Sequence, residues 1–241
     1  MNRNESLYSL AHAGVVDLAI VGGGATGLGV ALDAALRGYS VALLESHDFA
    51  GGTSSRSTKL LHGGVRYLAQ GNVSLVREAL HERQSILAIA PHLAAPLSFV
   101  MPAYAWWKLP VYTIGLKLYD LLAGRAGLGA TEWLSRRETA QALPGVQVRG
   151  LHGGVKYWDA QFDDARLALA IARTARAAGA NVLNHVKVAN LQALEGQSDG
   201  AKWALDWQNQ KGVEQGVLRA KCVVNAAGVW VDDVLAKVKG H

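Results

Sequence analysis

Apolar runs alternate with polar, glycine-rich turns along the chain, and this alternation predicts an α/β protein. Residues 17–21 form an apolar run typical of a strand buried on both faces, and residues 40–44 form a second one. Between these runs a cluster of glycines opens an apolar stretch that is expected to be a helix. Strand, helix and strand in this order predict a βαβ unit with two parallel strands.

The rest of the chain continues the alternation of helical and extended patterns. Helices are predicted at residues 72–90, 135–142 and 165–178, the last one capped by Asp163 or Asp164 and ended by Gly179. Single strands are predicted at residues 97–101, 153–158, 181–183 and 221–225, and a small antiparallel set at 186–194, 202–207 and 216–218. We expect the strands near 181 and 223 to rejoin the first sheet.

The first turn carries the most specific chemistry. Gly22, Gly24 and Gly27 have the G-x-G-x-x-G spacing that permits a tight turn, close approach of main chain to a pyrophosphate, and close packing of helix on strand. The start of the helix adds free N–H groups and a partial positive charge. Glu45 ends the second strand, where a carboxylate accepts hydrogen bonds from a ribose diol and repels a 2′-phosphate. The unit therefore predicts a site for FAD or NAD rather than NADP.

Composition narrows the classes of partner. The 241 residues are half hydrophobic and carry a net charge of +5, which suits an anionic substrate or an anionic membrane surface but is too mild to indicate nucleic acid. The single cysteine, Cys222, excludes a disulfide within the chain, and its apolar neighbours predict that it is buried. The first fourteen residues lack the apolar core of a signal peptide, so we expect a cytoplasmic location.

Residues 53–68, TSSRSTKLLHGGVRYL, are rich in groups that bind anions and flavins. Hydroxyls and main-chain N–H groups suit a diphosphate, and Gly63 and Gly64 would let the main chain approach a flat ring. His62, Arg66 and Tyr67 add a titratable group, a fixed cation and a phenol. Leu60, Leu61, Val65 and Leu68 alternate with these polar residues, which favours a partly buried path over a solvated loop.

Four segments together resemble one family. Residues 20–38 (IVGGGATGLGVALDAALRG), 53–68, 158–167 (WDAQFDDARL) and 224–230 (VNAAGVW) are similar to FAD-dependent glycerol-3-phosphate dehydrogenases, of the D-amino-acid-oxidase-like flavoprotein superfamily. The resemblance implies oxidation of sn-glycerol 3-phosphate to dihydroxyacetone phosphate, with hydride passed to FAD and electrons to a membrane quinone. It also implies peripheral attachment to the cytoplasmic face of the inner membrane, and it leaves a homodimer open.

The resemblance also implies a fold and a domain order. The expected architecture is a Rossmann-like FAD-binding sheet that is interrupted by a mixed α+β substrate or cap domain. Residues 15–76 would begin the FAD-binding domain, 77–161 would belong to the substrate domain, and 162–241 would return to the first domain with a small antiparallel insertion. Family members are considerably longer, so the chain is expected to be an N-terminal portion, truncated at its C-terminus.

Residue roles follow from the same resemblance. The residues expected to hold the ADP half and diphosphate of FAD are Gly22, Gly24, Ala25, Thr26, Gly27, Glu45, Ser54 and Ser55, with Val186 at the adenine and Ala227 and Gly228 as a second approach. Those expected near the flavin are Lys59, Leu61, His62, Gly63 and Gly64.

His62 is the candidate base, or alternatively a group that packs on the ring, since imidazole titrates near neutral pH. Arg66 and Tyr67 suit the substrate phosphate. The other histidines lack metal-ligand spacing, so no metal site is expected.

Three alternatives remain open at this stage. The first is a related flavoprotein that uses oxygen or another acceptor, either a glycerol-3-phosphate oxidase or an enzyme that acts on an amino acid or a 2-hydroxyacid. A second possibility is a portion that binds FAD without turnover. The third concerns residues 106–125, where aromatic and basic residues are mixed. Such a mixture fits either a membrane interface or an ordinary cap-domain helix.

Overall fold

The computed structural model describes residues 2–68 and 70–239, apart from the side chains of Arg66 and Lys239. Its helices are α1 (Arg3–Ala11), α2 (Ala25–Leu36), α3 (Val65–Leu68), α4 (Val73–Ile89), α5 (Lys108–Ala123), α6 (Arg136–Ala142), α7 (Asp164–Ala177) and α8 (Val231–Leu235). Its strands are β1 (Val15–Val21), β2 (Val41–Leu44), β3 (Leu60–Leu61), β4 (Ala94–Ala103), β5 (Glu132–Leu134), β6 (Gly153–Phe162), β7 (Asn181–Leu183), β8 (Val186–Ala193), β9 (Trp203–Asn209), β10 (Gln215–Asn225) and β11 (Val238–Lys239).

The chain divides into two compact units. Unit 1 contains the described residues of Met1–Ser57 and Asp164–His241, and unit 2 is Thr58–Asp163. The first boundary lies earlier than the predicted one at residue 76. The reason is that β3 pairs with β6, with Leu60 opposite Gln161, so the segment that follows Ser57 belongs to the second sheet.

Unit 1 is built on a seven-stranded sheet in the order β11-β8-β9-β10-β1-β2-β7. Strands β10, β1, β2 and β7 are parallel to one another, and Leu18 of β1 lies opposite both Val41 and Cys222. The strands near 181 and 223 therefore join the first sheet, as predicted. This arrangement confirms the Rossmann-like fold, since a buried parallel sheet follows from the apolar runs of β1 and β2.

Helices cover the sheet of unit 1 and form its two cores. On one face, Leu28 of α2 and Ala172 of α7 pack with Ile20 and Leu43 of the strands. The other core includes Leu7 and Leu10 of α1 together with Trp207 and Leu205 of β9. Helix α1 was not predicted. Its sequence signal is a capping box, in which the Asn2 side chain and the Glu5 side chain each accept the other residue's main-chain N–H.

Strand β10 differs from the prediction in two ways. It is a single strand that pairs with β9 in antiparallel fashion over its first half and with β1 in parallel over its second half, so the antiparallel set is continuous with the main sheet. Cys222 on this strand is exposed, and its predicted burial is wrong. The apolar neighbours of Cys222 along the chain do not decide which side of the strand is covered.

Unit 2 is built on a smaller sheet in the order β3-β6-β4, with β5 also paired to β6. Strand β4 is longer than the predicted strand at residues 97–101. The prediction stopped short because the observed strand contains Pro96 and Pro102, and prolines usually interrupt strands. Both prolines are tolerated since β4 lies at the edge of this sheet, where one row of N–H groups needs no partner. Helices α4 and α5 form a core in which Val76 and Leu80 pack with Tyr119.

Side chains cap the starts of two helices. Ser135 and Glu138 form a capping box at the start of α6, which was predicted to be capped. The Asn72 side chain accepts a hydrogen bond from the Leu75 N–H at the start of α4, at 3.2 Å, a cap that was not predicted. Asp164 is the first residue of α7, and its side chain accepts the N–H of the next residue, Ala165, at 2.8 Å.

Candidate cofactor site and active-site residues

The glycine turn of unit 1 joins β1 to α2 with no room for side chains. Gly22 has φ of +113°, which favours glycine, and a β-carbon there would lie 2.5 Å from the Ala226 carbonyl oxygen. A β-carbon on Gly27 would overlap the Gly22 carbonyl oxygen. Both glycines are therefore required for close packing of the helix on the strand ends, as the G-x-G-x-x-G spacing predicts.

The start of α2 presents polar main chain at the surface. Its N-cap residue, Gly24, has no side chain to cap the helix, and Ala25 and Thr26 in the first turn are exposed. The Ser54 hydroxyl lies beside this turn and accepts a hydrogen bond from the Ala25 N–H at 2.9 Å. Ser55 follows in the same short turn and is half-buried. A helix start with N–H groups and hydroxyls at hand has the chemistry of a diphosphate site.

Glu45 is held rigidly at the end of β2. One carboxylate oxygen accepts the Gly23 N–H and the other accepts the His47 N–H, both at 2.6 Å. The side chain is 15% exposed. Oε1, which accepts the His47 N–H, also accepts the Ser46 hydroxyl at 3.4 Å, whereas Oε2 accepts only the Gly23 N–H among the hydrogen bonds of the described residues. A carboxylate oxygen has two lone-pair positions, so Oε2 retains one acceptor position for a ribose hydroxyl beside the glycine turn, and the residues present fit the ADP half of FAD.

The remaining residues predicted to bind FAD in unit 1 are Val186, Ala227 and Gly228, and the structure describes them mainly through their main chain. The Val186 side chain lies fully buried in the core, and its N–H donates to the Glu45 carbonyl oxygen at 2.8 Å. Any contact of Val186 with adenine would therefore come from its main chain. The Ala227 N–H donates to the Asn225 side chain, and Gly228 has φ of +60°. These two residues turn the chain sharply at the end of β10.

Unit 2 holds the other candidate residues, in the segment that leads into α3. Lys59 is exposed, has φ of +59° and lines a cleft of about 420 Å³ with Pro91 and Phe162. Leu61 is half-buried in β3, and the His62 side chain is 59% exposed. Tyr67 is exposed on α3. The side chain of Arg66, predicted to bind the substrate phosphate, lies outside the described residues.

Gly63 and Gly64 are both buried, and each has a structural reason to be glycine. A β-carbon on Gly63 would overlap the Tyr119 hydroxyl and approach the Leu80 side chain. Gly64 has φ of +82°, in the region that favours glycine. Within unit 2, the side chain that limits the space at Gly63 is therefore Tyr119, a neighbour that the sequence did not indicate.

A buried charged network behind Gly63 was missed by sequence reasoning. The Asp159 carboxylate accepts hydrogen bonds from the Gly63 N–H at 3.0 Å and from Arg83 Nη1 at 2.9 Å. Arg83 also donates to the Tyr119 hydroxyl at 3.1 Å and to the Ala126 carbonyl oxygen at 2.8 Å. A signal was available, since Arg83 occupies the third position of the apolar i, i+4, i+7 row that begins at Val76.

The same network changes the acidity of two phenols. Burial, followed by the nearby negative charge of Asp159, raises the pKa of Tyr119 well above its usual range. Burial and the Asp159 charge also raise the pKa of Tyr157. Both phenols are therefore neutral at physiological pH, so neither serves as a base.

Two further classes of site were sought among the described residues. No group of three or more His, Cys, Asp or Glu side chains in residues 2–68 and 70–239 is arranged to hold a metal ion. Among the helices described, none combines the length and apolar character required to cross a membrane.

Comparison with known proteins decides the family. A model of the family described as FAD dependent oxidoreductase (DAO) matches residues 17–241. The chain belongs to this family. Its fold and its predicted cofactor, FAD, agree with that membership.

Relatives narrow the similarity further. The chain is 45% identical to the mitochondrial glycerol-3-phosphate dehydrogenase of Homo sapiens and 42% identical to that of Saccharomyces cerevisiae, over 97% and 98% of its length. Among solved structures it resembles the glycerol-3-phosphate dehydrogenase of Bacillus halodurans complexed with FAD, with a TM-score of 0.71 and 32% identity over 98% of the chain. The chain spans only 33% of the human enzyme, 37% of the yeast enzyme and 38% of the bacterial chain.

Proposed function

We propose that the protein oxidises sn-glycerol 3-phosphate to dihydroxyacetone phosphate, with FAD as the hydride acceptor. The observation that carries this proposal is the fit of the glycine turn and Glu45 to the ADP half of FAD, in a chain that is 45% identical to a glycerol-3-phosphate dehydrogenase over 97% of its length. The substrate is chosen because the relatives named above are glycerol-3-phosphate dehydrogenases.

Unit 1 would hold the cofactor through main-chain N–H groups, serine hydroxyls and the Glu45 carboxylate. The N–H groups at the start of α2, with Ser54 and Ser55, would bind the diphosphate, since a helix start favours anions. Glu45 Oε2 would accept a hydrogen bond from a ribose hydroxyl. A flavin supplies the hydride acceptor for the oxidation of a secondary alcohol.

Unit 2 would supply the groups that act on the substrate. His62 would accept the proton of the C2 hydroxyl, because its imidazole is 59% exposed and a ring nitrogen is therefore accessible to a ligand. Arg66 and Tyr67, in the short helix α3 that follows, would bind the phosphate. Lys59, Leu61, Gly63 and Gly64 are proposed to lie near the flavin.

Reduction of bound flavin without oxygen tests this proposal directly. The purified protein, loaded with FAD under anaerobic conditions, should lose its visible flavin absorbance when sn-glycerol 3-phosphate is added. The mirror-image compound sn-glycerol 1-phosphate and glycerol itself serve as controls and should not bleach the flavin. Bound flavin that dithionite bleaches and sn-glycerol 3-phosphate does not would instead identify a binding module without turnover.

The electron acceptor is a second part of the proposal, and we infer that it is a membrane quinone. Reoxidation of the bleached protein separates a dehydrogenase from an oxidase. Colour that returns with a short-chain quinone but slowly with oxygen supports the dehydrogenase. Rapid return in oxygen, with hydrogen peroxide formed, would favour the oxidase.

Helix α5 offers a surface suited to peripheral membrane contact. Its exposed apolar side chains, spaced four and three residues apart, are Trp107, Val111, Ile114, Leu118 and Leu121. Lys108 and Lys117 on the same helix provide positive charge. Such a stripe beside cations is typical of a helix that lies in the interface of an anionic bilayer, so we propose that α5 contacts the membrane.

Vesicle sedimentation tests this contact. Ile114→Glu, at a side chain that is 69% exposed, should reduce binding to vesicles that contain anionic lipid without loss of FAD content. Leu36→Glu is the matched control, because Leu36 is 70% exposed on α2 of unit 1 and should not affect binding. Equal binding by both variants would remove α5 from the contact.

A further inference from the structure

The Asp159 carboxylate is a buried acid whose contacts lead directly to a candidate reactive group, the His62 imidazole. It is 3% exposed and lies on β6. Its two oxygens receive the Gly63 N–H at 3.0 and 3.2 Å, and one of them lies 3.7 Å from His62 Nδ1. A single side chain thus contacts two successive residues of the HGG segment.

The buried Asp159 carboxylate is paired with a positively charged side chain, Arg83. A buried carboxylate is costly unless it is paired and hydrogen-bonded, and Arg83 Nη1 at 2.9 Å provides the pairing. The other titratable groups near the carboxylate are the phenols of Tyr119 and Tyr157, which remain neutral. Arg83 in turn donates to Tyr119 and to main chain, so the carboxylate is fixed from behind.

The imidazole of His62 is exposed to solvent, whereas the Asp159 carboxylate that it faces is buried. Its ring is 59% exposed, while Nδ1 points toward Asp159, so Nε2 is the nitrogen available to a ligand. A carboxylate beside one ring nitrogen favours the tautomer with the proton on that nitrogen. The distance of 3.7 Å is too long for a hydrogen bond, but contacts of this kind often tighten only when substrate binds.

We propose that Asp159 is a positioning residue, which fixes the Gly63 main chain and keeps the proton of His62 on Nδ1 so that Nε2 is the acceptor. This inference rests on the proposed function for its consequence in the reaction. As the C2 hydride leaves, the O–H bond of the substrate breaks and an Nε2–H bond forms. The resulting imidazolium then faces the Asp159 carboxylate, which stabilises it.

Nitrogen NMR of the FAD-loaded protein tests the tautomer without any substitution. With His62→Gln used to assign the signal, the neutral imidazole should show the proton on Nδ1. The opposite tautomer, which predominates in free histidine, would overturn the proposal. This readout does not depend on turnover, so it stands even if glycerol phosphate is not the substrate.

The same signal in a variant measures the effect of the carboxylate. Asp159→Asn should move the proton of the neutral His62 ring from Nδ1 toward Nε2, because the carboxylate 3.7 Å from Nδ1 is lost. Asp120→Asn is the matched control in the same unit, since the Asp120 carboxylate accepts the Thr131 N–H at 2.7 Å and should leave the tautomer of His62 unchanged. An unchanged tautomer in Asp159→Asn would contradict the proposal.

Kinetics separate positioning from a merely structural role. Asp159→Asn should lower kcat/KM by about tenfold or more, because Nε2 is then less often the unprotonated nitrogen that accepts the proton. In a His62→Gln background the same change should have little further effect, since the two residues act as a unit. Full additivity, or a lowered Tm with the His62 tautomer unchanged, would show that Asp159 only supports the fold. Normal kinetics in Asp159→Asn would refute this inference and leave the proposed function intact, whereas wild-type protein that never bleaches would refute the proposed function alone.

Discussion

The two units build their candidate sites from different parts of the chain. In unit 1 the site consists of main chain and glycines that are close in sequence, with Glu45 only 22 residues from its partner Gly23. In unit 2 the groups around Asp159 come from positions 76 and 96 residues away. A site made of local spacing is visible in a sequence, whereas a site made of buried side chains from distant segments is not.

The largest effect should come from breaking the network of unit 2. Arg83→Met leaves the buried Asp159 carboxylate without its opposite charge, so the free energy of unfolding should fall by about 3–5 kcal/mol. Arg77→Met on the same helix is the control, because Arg77 is exposed, and its change should stay within about 0.5 kcal/mol. Chemical denaturation of both variants measures the difference, and equal stabilities would mean that the network contributes little.

The glycine turn of unit 1 should be nearly as sensitive to a single methyl group. Gly27→Ala places a β-carbon against the Gly22 carbonyl oxygen, and main chain cannot move aside easily, so we expect a loss of about 2–3 kcal/mol. Gly29→Ala, in the same helix with open space around it, should instead gain about 0.5–1 kcal/mol. Thermal melts of the two variants should therefore shift in opposite directions, and a shift in the same direction would contradict the packing described here.

A smaller effect is expected from an exposed ion pair at the start of the parallel strands. Hydrogen bonds from Lys221 and then from Ser40 hold the pKa of Asp17 well below its usual range. A depressed pKa stabilises the fold above the unfolded-state value, and this stabilisation is lost as pH falls through the folded value. Asp17→Asn should thus be less stable than wild type at neutral pH, with the gap closing below about pH 4.

Stability measured as a function of pH checks this prediction. Ser85→Ala, at an exposed bond within helix α4, serves as a control whose difference from wild type should not vary with pH. A gap for Asp17→Asn that stays constant into acid would show that the ion pair does not influence folding.

Much of the fold was predictable because its signals are local. The glycine spacing, the end of β2 at Glu45 and the capping box at Ser135 each depend on residues a few positions apart. Strand β4 was predicted too short because prolines lower strand propensity, and only its place at the sheet edge makes them acceptable. The exposure of Cys222 likewise depends on what covers the strand, which a run of apolar neighbours does not specify.

The candidate site was predictable only in part. The HGG segment was recognised by its residue types, yet the buried partner of Gly63 is a tyrosine from α5 rather than any neighbour in sequence. Arg83 and Asp159 lie at positions where periodicity predicts apolar residues, so each one alone looks like an exception to the pattern. That they form a buried ion pair is visible only in the fold, which brings their charged atoms to 2.9 Å.

Recognition of the ADP half of FAD by unit 1 is the central claim, and competition between flavins tests it most directly. Binding measured by quenching of flavin fluorescence should be at least about tenfold tighter for FAD than for FMN, which lacks the adenosine monophosphate half. ADP should compete with FAD, and Glu45→Gln should weaken FAD more than FMN if the carboxylate binds the ribose of the adenosine half, as proposed. Equal affinity for FAD and FMN, with no competition by ADP, would contradict the account.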